Sequence, residues 1–188
     1  MISDMDDLQA VRRLKSGDIG GLELLIARYQ AKALRTAFLV TQDEPLAEDV
    51  VQEAFVRFFE RARGFDEARP FEPYFLRSVV NAGINAVKKE KKGNSSAEPE
   101  VPALESLLDR AASVEEQVEF SALKVQILEA LSRLAPRQRA VIVQRYYLQM
   151  SEEEMSAALG APRGTVKWLL NAARDRLRSL LGSERTAE

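Results

Sequence analysis

Lys167, Asn171, Arg174 and Arg178 follow one another at steps of four, three and four residues, which on an α-helix sets them along one side. Their shared chemistry is hydrogen-bond donation. An Arg guanidinium or Asn amide can make paired hydrogen bonds to guanine or adenine edges, worth roughly 1–3 kcal/mol each, while Lys neutralises phosphate. Arg163, Thr165 and Trp168 crowd the N-terminal end of the same stretch, the end by which recognition helices meet base edges. Arg137 and Arg139, upstream, are suited to phosphate. A solvated basic face on an ordinary amphipathic helix would carry the same charges, so the charges alone decide nothing.

The elements that must position these donors are legible around them. Val166, Leu170, Ala173, Leu177 and Leu180 form the opposite, apolar side and predict a helix from about 163 to 181 facing a core. Ser151 followed by Glu154 has the capping-box pattern, and Met155, Ala158 and Leu159 give the short helix it starts an inward side. Gly160 permits the left-handed turn that ends this helix, and Ala161-Pro162 completes the turn. A short helix, a Gly turn and a longer helix have the dimensions of a helix-turn-helix. Together the pattern points to a DNA-reading module.

Catalysis is disfavoured by what the chain lacks. Its 188 residues include no His and no Cys, which removes the commonest general base, thiolate nucleophiles, disulfides and the usual zinc ligands. No Gly-rich phosphate loop is present, so the expectation is a binding protein without catalytic residues, metal or cofactor. The formal net charge is −2, but it is unevenly spread. Residues 133–181 hold nine Lys/Arg against four acids, a net of +5, whereas 93–119 hold seven acids and one Arg, a net of −6. One end can approach phosphate and the middle is repelled by it. The acidic N-terminus is unlike a secretory signal, and no run of eighteen apolar residues occurs. A soluble, cytoplasmic chain with no membrane contact of its own is expected.

The N-terminal half also reads as helix. Leu22, Leu25, Ile26, Tyr29, Ala33, Ala37 and Val40 form one stripe, and the segment Thr41 to Pro45 breaks it. Residues 46–63 carry Val50, Val51, Ala54, Phe55, Phe58 and Phe59 on an apolar side, and 64–70 form a loop. A helix from about 71 to 89 ends in the basic run Lys88, Lys89, Glu90, Lys91, Lys92. Turn-rich polar residues follow from Gly93, and packed helix resumes near Phe120 with Leu123, Ile127, Leu131 and Leu134. Val141-Ile142-Val143 favours strand by propensity, but Pro136 suits a helix start and the flanks are helical, so helix is predicted. The expected fold is all-α: two small helical domains, 1–92 and 114–188, joined by an acidic linker at 93–113, the second a helix-turn-helix.

Leu134-Ala-Pro-Arg-Gln-Arg139, Met150-Ser-Glu-Glu-Glu-Met155 and Gly164-Thr-Val-Lys167 resemble region four of bacterial sigma factors. Leu46 to Phe59 and Phe71 to Asn85 resemble region two. Two regions in this order, joined by a short linker, resemble the plan of the extracytoplasmic-function (ECF) sigma factors. The resemblance implies binding to core RNA polymerase, recognition of promoter DNA and control by an anti-sigma factor. It assigns Asp49, Gln52, Glu53 and Arg57 to the polymerase clamp. It assigns Tyr74, Arg77, Asn81 and Asn85 to the −10 element, with Lys88, Lys89, Lys91 and Lys92 on phosphates. A base flipped from the duplex needs amide donors and an aromatic or apolar wall, which Asn81 and Asn85, one turn apart, could help provide; Phe75 belongs rather to the core. The −35 element falls to Arg137, Arg163, Thr165, Lys167, Trp168, Asn171, Arg174 and Arg178. Here the chain departs from the family, which commonly has a small polar residue and then Arg where this one has Trp168 and Leu169. Leu169 belongs to the edge of the core; Trp168 contacts a thymine methyl or sugar edge, or packs down. The acidic linker is a mimic of nucleic acid or a solvated spacer. A helix-turn-helix regulator acting without polymerase is the competing function.

Overall fold

The computed structural model describes residues 6–93 and 117–183, with side chains for 6–90 and 125–182. Those residues form helices and turns, with no strand among them. None of their helices is long and apolar enough to cross a membrane.

Helix α1 (Asp7–Lys15) was not anticipated, although its start carries a cap. The Asp6 carboxylate accepts from the Gln9 backbone N–H at 2.7 Å, and the Gln9 side chain accepts in return from Asp6 N–H at 3.3 Å. Helix α1 crosses α2 (Gly20–Thr41) at Gly21, where a Cβ would lie 2.2 Å from the Ala10 carbonyl oxygen. Only glycine allows that approach. The predicted break after Thr41 is present: Gln42 turns left-handed at φ 60°, and Asp43 caps α3 (Glu44–Arg61) by accepting from Leu46 N–H at 2.7 Å. A 3₁₀ turn (Ala62–Gly64) and a loop lead into α4 (Phe71–Gly93).

These helices close on an aromatic core. The ring centroids of Phe55 and Phe75 lie 4.3 Å apart, those of Phe58 and Phe71 4.8 Å, and those of Tyr29 and Phe71 5.2 Å. Phe59 is a correction to the expected apolar side: it is 48 % exposed, beside the fully engaged Phe58. At about 100° per residue, Phe59 stands about 40° further round the helix than Phe55, four residues earlier, and so passes the edge of the buried side.

The C-terminal half is built from α5 (Gln117–Ser132), α6 (Pro136–Ile142), α7 (Glu152–Leu159) and α8 (Arg163–Ser183). The Val141–Val143 segment is helical as predicted, and it widens into one π turn over Val143–Tyr147. Leu131, Leu134, Val141, Met155, Val166 and Leu170 make the second core. Ile127, expected inward, is 42 % exposed, and its neighbour Leu128 takes the buried place.

The two halves are packed together by a third, smaller cluster. Val40 of α2 and Val80 and Ile84 of α4 meet Ala140 of α6 and Val143 of the π turn. Arg139, expected on phosphate, is instead buried in this contact. It donates to the Val40 carbonyl at 2.9 Å, and also to the carbonyls of Leu134 (3.2 Å) and Ser132 (3.3 Å). Val40 lies in the last turn of α2, where helix carbonyls lack partners and carry negative partial charge. Burial pulls the guanidinium pKa down to about 10, which leaves it charged at neutral pH. The expected linker, apart from Gly93, lies outside the described residues.

Candidate nucleic-acid and polymerase interface

The expected polymerase-binding residues stand together. Asp49, Gln52, Glu53 and Arg57 are all exposed on the outward side of α3. Arg57 donates to Glu53 at 2.5 Å, an i,i+4 pair that fixes little at this exposure. Between them the same surface presents Val56 at 50 % exposure and Phe59 at 48 %. Sequence reasoning missed this apolar centre. The available signal was the position of Phe59 one step beyond Phe55 at the edge of the apolar side.

The residues expected on the −10 element form a stripe along α4. Tyr74, Arg77, Asn81, Asn85 and Lys88 step by three, four, four and three residues. Their surroundings change along it. The ring of Tyr74 is half-buried, 4.9 Å from that of Phe65 and 6.3 Å from that of Phe58. Arg77 borders a groove of about 310 Å³ with Leu76, Tyr147, Leu148, Met150 and Glu154. Its Nε is buried with no hydrogen-bond partner among the described residues. Asn81 donates from its amide to the Ala158 carbonyl of α7 at 2.7 Å. Phe75 is fully buried, on the core side of α4. Asn85, Lys88 and Lys89 are open. Asn85 and Lys89 border a cleft of about 540 Å³ whose other wall holds Asp49, Glu53 and Arg57 of α3. The first helix of the helix-turn-helix therefore lies against the middle of the α4 stripe. Lys91 and Lys92 fall outside the side chains described.

The helix-turn-helix is formed as its residues predict. Ser151 Oγ accepts from Glu154 N–H at 3.2 Å, and the Glu154 carboxylate accepts from Ser151 N–H at 2.8 Å. The Ser151 N–H and the Ser151 hydroxyl, which also donates to the carboxylate at 2.8 Å, with a smaller contribution from the Arg77 charge, hold the Glu154 pKa below the ordinary carboxylate value. Gly160 takes the left-handed conformation at φ 57°. On α8, Val166, Leu169, Leu170, Ala173 and Leu180 are buried, which fixes the helix's rotation. Arg163, Thr165, Lys167, Trp168, Asn171 and Arg178 are exposed, as is Arg137 on α6. Three of the cations already have company. Lys167 lies 3.7 Å from Glu152, and Arg178 pairs with Asp175 at 2.7 Å. Arg174 is half-buried and donates from Nε to the Tyr146 hydroxyl at 2.9 Å, its guanidinium carbon 5.8 Å from the ring centroid. Tyr146, 58 % exposed, is a second residue that sequence reasoning missed. Its only signal was an aromatic pair, Tyr146 and Tyr147, following Gln144 and Arg145 at the end of the helix.

Comparison with known proteins gives the family. The family Sigma-70 region 2 matches residues 25–93, and the family Sigma-70, region 4 matches residues 124–177. The chain is 36 % identical to the RNA polymerase sigma-E factor of Streptomyces avermitilis over 167 residues, covering 89 % of this chain and 88 % of that protein. It is 28 % identical to the ECF RNA polymerase sigma factor SigW of Bacillus subtilis, covering 91 % and 94 % respectively. Its fold is similar to the sigma factor RpoE of Bartonella quintana, solved with the anti-sigma factor NepR, at TM-score 0.63 and 20 % identity over 85 % of this chain and 96 % of that one. With both regions matched in order on one all-α fold, the chain belongs to the sigma-70 family, as an ECF sigma factor of bacterial RNA polymerase.

Proposed function

We propose that the chain binds core RNA polymerase through the outward side of α3, reads the −10 element with the α4 stripe and the −35 element with α8, and so directs transcription initiation. In this reading residues 1–92 are the region-two half, 114–188 the region-four half and 93–113 the acidic linker between them. The protein works in the cytoplasm as a non-enzymatic initiation factor, held in reserve by an anti-sigma factor. The observation that carries the reading is the rotation of α8. Its five buried side chains leave Lys167 and Asn171 facing outward, and an outward Asn and Lys on a second helix are suited to base edge and phosphate.

The Asn81 contact gives the proposal a mechanism. A base can take the Asn81 amide only after that amide leaves the Ala158 carbonyl, so reading the −10 element requires α7 to move off α4. One acceptor replaces another, and the hydrogen bond is conserved in number. The apolar contact of Val80 and Ile84 with Ala140 and Val143 is what opening gives up. The packed arrangement is then the resting form of the free chain, and polymerase supplies surfaces that hold the halves apart.

Gel filtration and promoter binding with purified core polymerase test the assignment. Asp49→Ala with Gln52→Ala should weaken holoenzyme assembly. Asn171→Ala should leave assembly intact and reduce dependence on the −35 sequence. Equal loss of assembly in both would make Asn171 structural, and tight operator binding by the chain alone, indifferent to Asp49 and Gln52, would favour a polymerase-independent regulator.

A further inference from the structure

Trp168 is the single tryptophan of the chain, and it is 66 % exposed. Among the described residues no ring contact or hydrogen bond engages its indole. Scattered exposed apolar side chains are ordinary, so its position must carry the argument. Leu169 and Leu170, the next two residues, are 8 % and 2 % exposed, and Val166 and Ala173 are fully buried. The helix therefore cannot rotate to hide the indole. Side chains on a helix lean toward its N-terminus and cover the residue one turn earlier. For Trp168 that residue is Gly164, where even a Cβ would meet nothing within 4 Å. The indole is therefore not laid down on the preceding turn: it stands clear of Gly164, in open space toward the N-terminal end of α8, with Arg163, Lys167 and Asn171 exposed on the same turns.

That end is the one a recognition helix places in the major groove. An indole offers a flat apolar face and a single N–H donor. Among the four base-pair edges in that groove, the C5-methyl of thymine is the apolar feature. Leu169, buried, has no reach to DNA, so the discrimination a polar side chain would give at that position is absent. We propose that Trp168 is a specificity-determining residue that selects thymine at one position of the −35 element by contact with its methyl group. This rests on α8 being the −35 reader. The flanking cations make nucleic acid, rather than a protein groove, the partner this indole fits.

The test uses reconstituted holoenzyme. A promoter library first gives the preferred −35 sequence, and each thymine in it is then replaced by uracil, which removes only the methyl. At one position the wild-type protein should lose about four-fold in promoter affinity, the factor equivalent to one buried methylene. Trp168→Ala should show the same loss on thymine and no further loss on uracil, and Trp168→Phe should retain part of the discrimination. Undiminished thymine-over-uracil preference in Trp168→Ala overturns the proposal, as does the absence of any thymine preference at −35. Weakened holoenzyme assembly with the preference intact would assign the indole to a protein partner and also overturn it. A scrambled −35 element separates the two levels. If scrambling has no effect, α8 is not the reader and both readings fall; if it has its effect while uracil does not, Trp168 alone is misassigned.

Discussion

Phe58 and Phe59 are neighbours in α3 with opposite roles. Phe58 is 3 % exposed, with ring centroids 4.8 Å from Phe71 and 5.6 Å from Phe65, whereas Phe59 is 48 % exposed. Phe58→Ala should destabilise the protein by about 3–5 kcal/mol through lost burial and a cavity. Phe59→Ala should shift stability by no more than about 0.5 kcal/mol and yet weaken assembly with core polymerase. Urea unfolding reads the first quantity and gel filtration with core the second; a large stability loss in Phe59→Ala would return that ring to the core. At this scale the sequence was informative about residue type and weaker about direction. The inward stripe of α8 was legible because it spans several turns, and each turn confirms the last. Phe59, Ile127 and Arg139 were misplaced because a single residue at the border of a stripe has no periodicity of its own. Arg139 could not have been placed from charge: its partners are three backbone carbonyls, one of them 99 residues away in sequence.

Among the elements, the most legible start was that of α7, where Ser151 and Glu154 satisfy each other's orphan groups at 2.8 and 3.2 Å. Ser151→Ala should cost about 1 kcal/mol, the usual loss of a helix cap. Glu154 makes this cap dependent on pH. Its pKa is lower in the folded protein than the unperturbed 4.5, so its contribution is fully present above the unfolded value and fades as pH falls through the folded one. The stability difference between the wild type and Glu154→Ala should therefore be constant near neutrality and shrink in acid below about pH 4. Denaturation series at several pH values measure it, and a difference that grows in acid would contradict the assigned cap. Helix α1 has a cap of the same kind at Asp6 and Gln9 but went unread. Its length is no obstacle, since α7 is shorter at 8 residues against 9; its cap lies among Asp4, Asp6 and Asp7, which read as an acidic terminus and not as a helix start.

In the whole molecule, the sequence separated two helical halves but held no sign of how they meet. Asn81 and Ala158 are 77 positions apart, and contact between two locally complete units leaves no periodic trace. The contact itself is a mixed one. Val40, Val80, Ile84, Ala140 and Val143 are buried together, while the Nε of Arg139, whose guanidinium reaches the Val40 carbonyl, is buried without a hydrogen-bond partner among the described residues. Such a group costs about 1–3 kcal/mol, which offsets part of the apolar gain and suits a contact that must open. Ile84→Asp should separate the halves while leaving helicity unchanged. Dyes on cysteines introduced at Glu60 and Asp175, in a chain with no native cysteine, would report a longer distance; an unchanged distance with an intact circular dichroism spectrum would show that the cluster does not hold the halves together. The central claim is initiation with core polymerase, and run-off transcription tests it most directly. Core polymerase plus this chain should start RNA at a defined site on a library-selected promoter, with neither component active alone and with Asn81→Ala reducing the product. Transcripts that do not depend on the added chain, or none at all from an assembled complex, would contradict it.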